Sequence, residues 1–395
     1  MTRTQEAFLD LLRCGLWGTP LNPSIFGVSE RTGDNSGAAN LGKESLLSQQ
    51  EWKKIAEMAT EQTMTGVIFD ALLSLPKALR PPKDIYFNLV AQVGDLEDGG
   101  YQMNKAIAYL FHAFDKAGIE VFLLKGQAVA QFYPQPLHRV HGDIDLLVPD
   151  AQNFEKAIAL MQSLTGEEGE PEDERSHVVF SLKGVCVEVQ GLNVYGIGRR
   201  CFQHYIDWAK DSLKGEPRKL HLQTEKQPNE ELQRPRTAIL PPMRFDLMFV
   251  FVHLMIHFFN GGVGLRQVCD WMRYLHESRS SIDLSQLEKD LNTLGLMPHW
   301  QTLASMAVCQ LGAPKESIPF YSTSYDRKGH LALNHILRSG NFGVLRTNVF
   351  EGKTDSRLLR RFGTLLSLFP AYGRVARMFP ADACFCFYRY AMMRL

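Results

Sequence analysis

The chain has 395 residues, 45% hydrophobic and 22% charged, and its lysine plus arginine equals its aspartate plus glutamate at 43 each. That length exceeds one ordinary core, so two or three sub-domains are expected; the balanced charge excludes a global basic field for nonspecific nucleic-acid binding and leaves no clear patch for it. The seven cysteines (Cys14, Cys186, Cys201, Cys269, Cys309, Cys384, Cys386) are scattered, odd in number and without a CxxC pair, and read as reduced thiols of a cytoplasmic protein.

The N-terminal MTRTQEAFLDLLRCGLWG lacks the long apolar core and cleavage site of a signal peptide. Phe8, Leu11, Leu12 and Leu16 predict a helix over 4–16, stopped by Gly18-Thr19-Pro20. Residues 17–42, rich in Gly, Asn, Ser and Pro, read as a loop. Two helices follow between Ser48 and Leu75 with a break near Gly66, then a long one from about Ile85 to Ala117. Strand signals concentrate next. Ile119–Leu124 and Asp143–Val148 read as strands joined through a short helix opening at Gly126, and Asp150 caps a helix from Ala151 to Leu164. After the acidic loop GEEGEPEDER, His177–Leu182 and Val185–Gln190 flank a Lys183-Gly184 hairpin turn. The polar stretch 214–236, with one short possible strand at Leu220–Leu222, reads as a linker. Beyond it Met243–Phe259 and Leu265–His276 are helices, and the rest is helical by period with breaks at Pro298, Pro314, Gly340 and Pro370. The most apolar run, Leu247–Phe259, is too short for a bilayer, which needs about 20 residues. The aromatic-rich end, Phe385, Phe387, Tyr388 and Tyr390, reads as packing.

The chain is therefore expected to be α+β, a small mixed sheet with helices on one side, set between flanking N-terminal and C-terminal helical regions. The divisions are a helical region 1–118, a core 119–213, the linker, and a helical region 237–395. The chemistry lies in VFLLKGQAVAQFYPQPLHRVHGDIDLLV, residues 121–148. Period-2 alternation puts Asp143 and Asp145 on one face of a strand, their Cα atoms about 6.5–7 Å apart. Two carboxylates at that spacing repel unless a cation binds between them or water solvates them. Glu188 lies on the face of its own strand opposite Val185, Val187 and Val189, which makes it a third carboxylate of interest. Lys125-Gly126 ends an apolar run and opens a helix whose backbone N–H groups suit a phosphate. Arg139 either clamps a phosphate bidentately or pairs with a nearby acid. His253 and His257 share a helix face. The glutamate of HExxH is missing, so they read as cleft or core groups rather than zinc ligands.

These residues carry a resemblance. Lys125-Gly126, Tyr133, Arg139, Gly142 to Val148 and Val187-Glu188-Val189 look like the signature of the uncharacterised nucleotidyltransferase family within the DNA polymerase β-like superfamily. The likeness extends to Leu240-Pro241-Pro242, the His253/His257 helix, and Leu265-Arg266 with Asp270. It implies a nucleotidyltransferase fold in which Asp143, Asp145 and Glu188 hold Mg²⁺, with Mn²⁺ as the alternative. Lys125, Gly126 and Arg139 would contact the phosphates of an ATP-like NTP, and the acceptor would be a small molecule, protein or RNA. The superfamily begins its phosphate-binding helix with Gly-Ser; here Gln127 follows Lys125-Gly126. Gln190 stands where the family often has His. The residues alone leave two other readings, a DxD glycosyltransferase, which requires a Rossmann-like series of βα units before the motif, and an inactive nucleotidyltransferase-fold binding protein.

Overall fold

Capping fixes where the first helices begin. In the computed structural model, which describes residues 1–26, 47–173, 177–193, 197–226, 236–260, 262–340 and 369–394, Thr2 and Gln5 form a capping box that starts α1 (Arg3–Trp17), and Gly18 at φ +68° ends it. A short helix α2 (Pro23–Phe26) follows, and most of the stretch expected to be a loop lies outside the described residues. Ser48 and Glu51 cap α3 (Gln49–Glu61) in the same way. The break before α4 (Thr65–Leu73) falls at Gln62–Met64, where Thr63 has φ +54°. Gly66 thus sits inside α4 rather than at the break. A Cβ there would lie 2.1 Å from the His138 carbonyl oxygen, so glycine admits the loop that crosses this helix. Gly99, within the 34-residue α5 (Lys83–Lys116), likewise makes room for His141 of the same loop. His138 ties the loop down through Asp70 of α4 at 2.7 Å and Glu97 of α5 at 3.2 Å.

The sheet is the middle layer. β1 (Phe122–Leu124) leads through the five-residue α6 (Gly126–Ala130) and the tied loop to β2 (Ile144–Leu147). Asp150 caps α7 (Ala151–Thr165), followed by β3 (Glu170–Asp173), β4 (His177–Leu182) and β5 (Val185–Gln190). The strand order is β1-β2-β5-β4-β3; β2 and β5 are parallel and the other pairs antiparallel. The Lys183-Gly184 hairpin forms as expected. β3 lies in the stretch read as an acidic loop.

One face of the sheet, carrying Leu123, Ile144, Leu146, Val187 and Val189, packs on Ile107, Leu110 and Phe114 of α5 and Phe154 and Met161 of α7. Each such side chain contributes about 1.5–3 kcal/mol on burial. A one-residue slip of β2 would put Ile144 and Leu146 in the cleft and the aspartates in the core, so this apolar face fixes the register. Phe122, Leu124 and Leu147 on the other face join the core of the C-terminal helices. Helical structure therefore flanks the sheet on both faces, as expected of an α+β core set between N-terminal and C-terminal helical regions.

After α8 (Arg199–Ser212), β6 (Arg218–His221) pairs antiparallel with β7 (Thr237–Leu240). β6 lies in the stretch expected to be a linker. α9 (Met243–Asn260) is apolar because it is buried on nearly every side, from Phe245 to Phe259. Then come α10 (Leu265–Ser278), α11 (Leu284–Leu294), α12 (Met297–Cys309) and α13 (Asp326–Ser339); Pro298 opens a helix instead of breaking one. In the last helix, Pro380–Arg394, Phe387 packs on Phe369 and Tyr372, whereas Tyr388 is 63% exposed, and the Tyr390 side chain lies outside the description. Before Phe122 the described residues hold helices and no strand, unlike the βα series a glycosyltransferase requires. All seven cysteines are thiols outside any disulfide, and no described helix is long and apolar enough to cross a membrane.

Candidate metal and nucleotide site

In-register partners on parallel strands present their side chains to the same side of a sheet. Asp145 is the register partner of Glu188, so both point away from the α5–α7 core, and Asp143 follows the alternation two positions upstream. One carboxylate oxygen from each lies within 4.8 Å of the other two. Asp145 is buried; Asp143 and Glu188 are half-buried. Burial drives the Asp145 carboxyl well above the usual range, the Lys125 ammonium pulls the other way, and Asp143 and Glu188 push it up further. For Glu188 burial is outweighed by the hydrogen bond with His177 (3.2 Å) and by Lys125, and its pKa is lowered to about 2. His177 and Lys125 thus favour the ionised form of Glu188.

Lys125 joins β1 to α6 with φ +46°, a conformation that for a residue with a Cβ stores about 1–3 kcal/mol of strain. Its Nζ lies 2.6 Å from Asp145 Oδ1 and 3.2 Å from His253 Nε2. Burial would drive the proton off this amine, but Asp145, then Asp143 and Glu188, outweigh it and the pKa rises. Oδ2 of Asp145 is buried and receives no hydrogen bond. Gly126, at φ +42°, makes the turn into α6. Gln127 turns inward: its Nε2 donates to Asn104 Oδ1 (2.8 Å), and Asn104 donates to the Gln223 carbonyl (2.6 Å).

α9 and α10 form the facing wall, and the cleft between holds about 300 Å³. His253 and His257 approach Nε2 to Nε2 at 2.9 Å. Burial, then Lys125, pushes His253 well below its usual range and His257 to about 4, so both are neutral at pH 7. Asp270 engages Arg139 and Tyr133 rather than either histidine. Its oxygens take Arg139 Nε at 2.8 Å and Nη2 at 2.7 Å, and the Tyr133 hydroxyl at 2.8 Å. Of the two readings of Arg139, the structure shows the acid pair: the residue is 5% exposed and its Nη1 donates to the Val140 carbonyl. Gln190 is buried and does not line the cleft.

Two further side chains bear on the acidic cluster: Arg266, which the family likeness named without a role, and His177, which no motif marked and which meets Glu188. Arg266 donates from Nη1 to the Val140 carbonyl at 2.9 Å, and its buried Nε has no partner. On sequence it forms an ordinary i, i+4 pair with Asp270, which hides it. His177 was findable, because the Lys183-Gly184 turn sets Val179 opposite Glu188 and puts His177 on the same face. A larger groove of about 870 Å³ includes Trp17, Arg273 and His276. There Arg273 already donates to the Phe132 and Leu16 carbonyls and to Glu277.

The donor set of the acidic cluster is all oxygen and includes an orphaned buried atom, which fits a hard divalent cation. No curated protein matches the chain. Among solved structures it is similar to an antigenic nucleotidyltransferase-like protein from Paracoccidioides brasiliensis, at 14% identity, over 49% of this chain and 92% of that one. The TM-score of 0.29 is too low to carry structural inference. The uncharacterised nucleotidyltransferase family matches residues 48–312, a span that holds the sheet, the three carboxylates, Lys125 and the α9–α10 wall. The chain belongs to the uncharacterised nucleotidyltransferase family.

Proposed function

We propose that the protein is a Mg²⁺-dependent nucleotidyltransferase, with Mn²⁺ as an alternative ion, that moves a nucleoside monophosphate from an NTP to an acceptor hydroxyl. The oxygen–phosphorus bond to the acceptor forms as the α–β bridge breaks, and pyrophosphate leaves. The observation that carries this reading is the convergence of Asp143, Asp145 and Glu188 within 4.8 Å, facing a wall that supplies Arg266 and neutral imidazoles. A divalent ion held by the three carboxylates would supply positive charge for the triphosphate and acidify the acceptor hydroxyl. Glu188, whose ionised form His177 and Lys125 favour, contributes charge and geometry. Lys125 and the backbone at Gly126 hold the β- and γ-phosphates. Because Arg139 is engaged by Asp270, we assign its expected phosphate contact to Arg266, which lines the cleft and has a buried Nε without a partner. Arg139 then acts by fixing the loop that delivers Asp143. The acceptor is a small molecule, protein or RNA hydroxyl, and thiols outside any disulfide suit work in the cytoplasm.

The test is incubation with each α-labelled NTP, Mg²⁺ and fractionated lysate. The expected result is label in one acceptor fraction, abolished by chelator and by Asp145→Asn. Label transfer that survives Asp145→Asn, or no transfer from any NTP, contradicts the proposal.

A further inference from the structure

We propose that Lys125 is a built-in stand-in for the metal, its ammonium occupying the acidic centre of the nucleotide-free protein and leaving it when a divalent cation enters with the triphosphate. This rests on the reading above, that the three carboxylates are a metal centre. The Nζ of Lys125 sits 2.6 Å from Asp145 Oδ1, an oxygen the ion would need. An ion at the usual Mg²⁺–oxygen distance from that atom would stand within about 5 Å of the ammonium in a water-poor cleft, where like charges repel strongly. Ammonium and ion therefore exclude each other from Asp145.

The attachments of Lys125 are those of a group that moves. Its pairing with Asp145 is incomplete, since Oδ2 receives no hydrogen bond. Its other contact is shared: Lys125 Nζ at 3.2 Å and His257 Nε2 at 2.9 Å both aim at His253 Nε2. Because an ammonium only donates, its bond to His253 Nε2 requires the His253 proton on Nδ1; Nε2 then has one in-plane lone pair, for which Lys125 and a His257 Nε2–H compete. When Lys125 leaves, the bond from His257 to His253 completes itself. The backbone at φ +46° adds strain at the pivot. The side chain is 16% exposed and lines the cleft, so its way out leads to where the phosphates would lie.

Metal and nucleotide binding are then coupled. Without nucleotide, Lys125 lowers the affinity for the ion. With a triphosphate present, the ammonium has a new anionic partner and the carboxylates are released. Coupling of this kind is reciprocal, each ligand raising the affinity for the other.

The test is a Mn²⁺ titration followed by the electron paramagnetic resonance signal of free Mn²⁺, with and without a non-hydrolysable NTP. It compares the wild type with Lys125→Met, Lys125→Gly and Asp145→Asn. Glycine suits the positive φ, so at least one lysine-free variant keeps the fold, checked by near-ultraviolet circular dichroism. Without nucleotide, both lysine-free variants are expected to bind Mn²⁺ about tenfold or more tightly than the wild type. The nucleotide should raise Mn²⁺ affinity strongly in the wild type and weakly in those variants. Equal or weaker Mn²⁺ binding without Lys125, alongside wild-type binding that Asp145→Asn removes, overturns the stand-in and leaves the metal centre intact. Mn²⁺ binding in no protein, with or without nucleotide, overturns the metal centre as well.

Discussion

Two buried ion pairs flank the same cleft and are built differently. Asp270 has both oxygens engaged, by a bidentate Arg139 and the Tyr133 hydroxyl, and the remaining guanidinium nitrogen reaches a backbone carbonyl. Asp145 meets Lys125 through one oxygen, its second is bare, and two further carboxylates crowd it. Burial alone does not separate them, since both aspartates are at most 5% exposed. Completeness of hydrogen bonding does. A satisfied buried pair fixes a loop, whereas an unsatisfied one leaves capacity for a ligand.

The largest effect expected from breaking this comparison is on the satisfied pair. Arg139→Leu leaves Asp270 buried and charged, which costs about 3–5 kcal/mol of folding stability. Urea unfolding at pH 7 measures it, and a cost below about 1 kcal/mol would show that the pair does not fix the loop. The next effect concerns the wall beside Lys125. Folded His257 stays neutral down to about pH 4, while the unfolded chain takes up its proton near 6.5. The unfolded state therefore binds more protons in that window, stability rises with pH across it, and it is lost as the pH falls from 6.5 through 4. The loss attributable to this group is about 3 kcal/mol. Relative to the wild type, His257→Gln should gain that much between pH 7 and pH 4; parallel profiles would place His257 in water. The smallest effect is on the open pair. Asp145→Asn should shift stability by less than about 1 kcal/mol, because a repelling carboxylate is removed while Asp143 and Glu188 remain near the ammonium. A cost equal to that of Arg139→Leu would erase the distinction.

The carboxylate side of the site was legible in the sequence because local rules set it. Alternation through Gly142-Asp143-Ile144-Asp145 separates carboxylates from core residues, the valines of β5 place Glu188, and a two-residue turn fixes the hairpin. The opposite wall was legible only in part: the shared face of His253 and His257 marked its helix, but not the partners across it. Arg139 and Asp270 are 131 positions apart, and no spacing rule joins them. Arg266 looks like the partner of Asp270 until the fold brings Arg139 in. β3 has no apolar alternation to announce it and is a strand by virtue of its ladder to β4. β6 overlaps the short strand read at Leu220–Leu222, and its ladder to β7 extends it back to Arg218. Lys125 could be read as a phosphate ligand, but its present position on Asp145 depends on a backbone angle that only the structure supplies.

The most direct test of the central claim, that the acidic cluster binds an NTP through a divalent ion, is calorimetric titration of a non-hydrolysable NTP with and without Mg²⁺. The account predicts wild-type binding that requires Mg²⁺ and is lost in Asp145→Asn while the variant stays folded. Binding of equal strength with and without Mg²⁺, unchanged in Asp145→Asn, would contradict it.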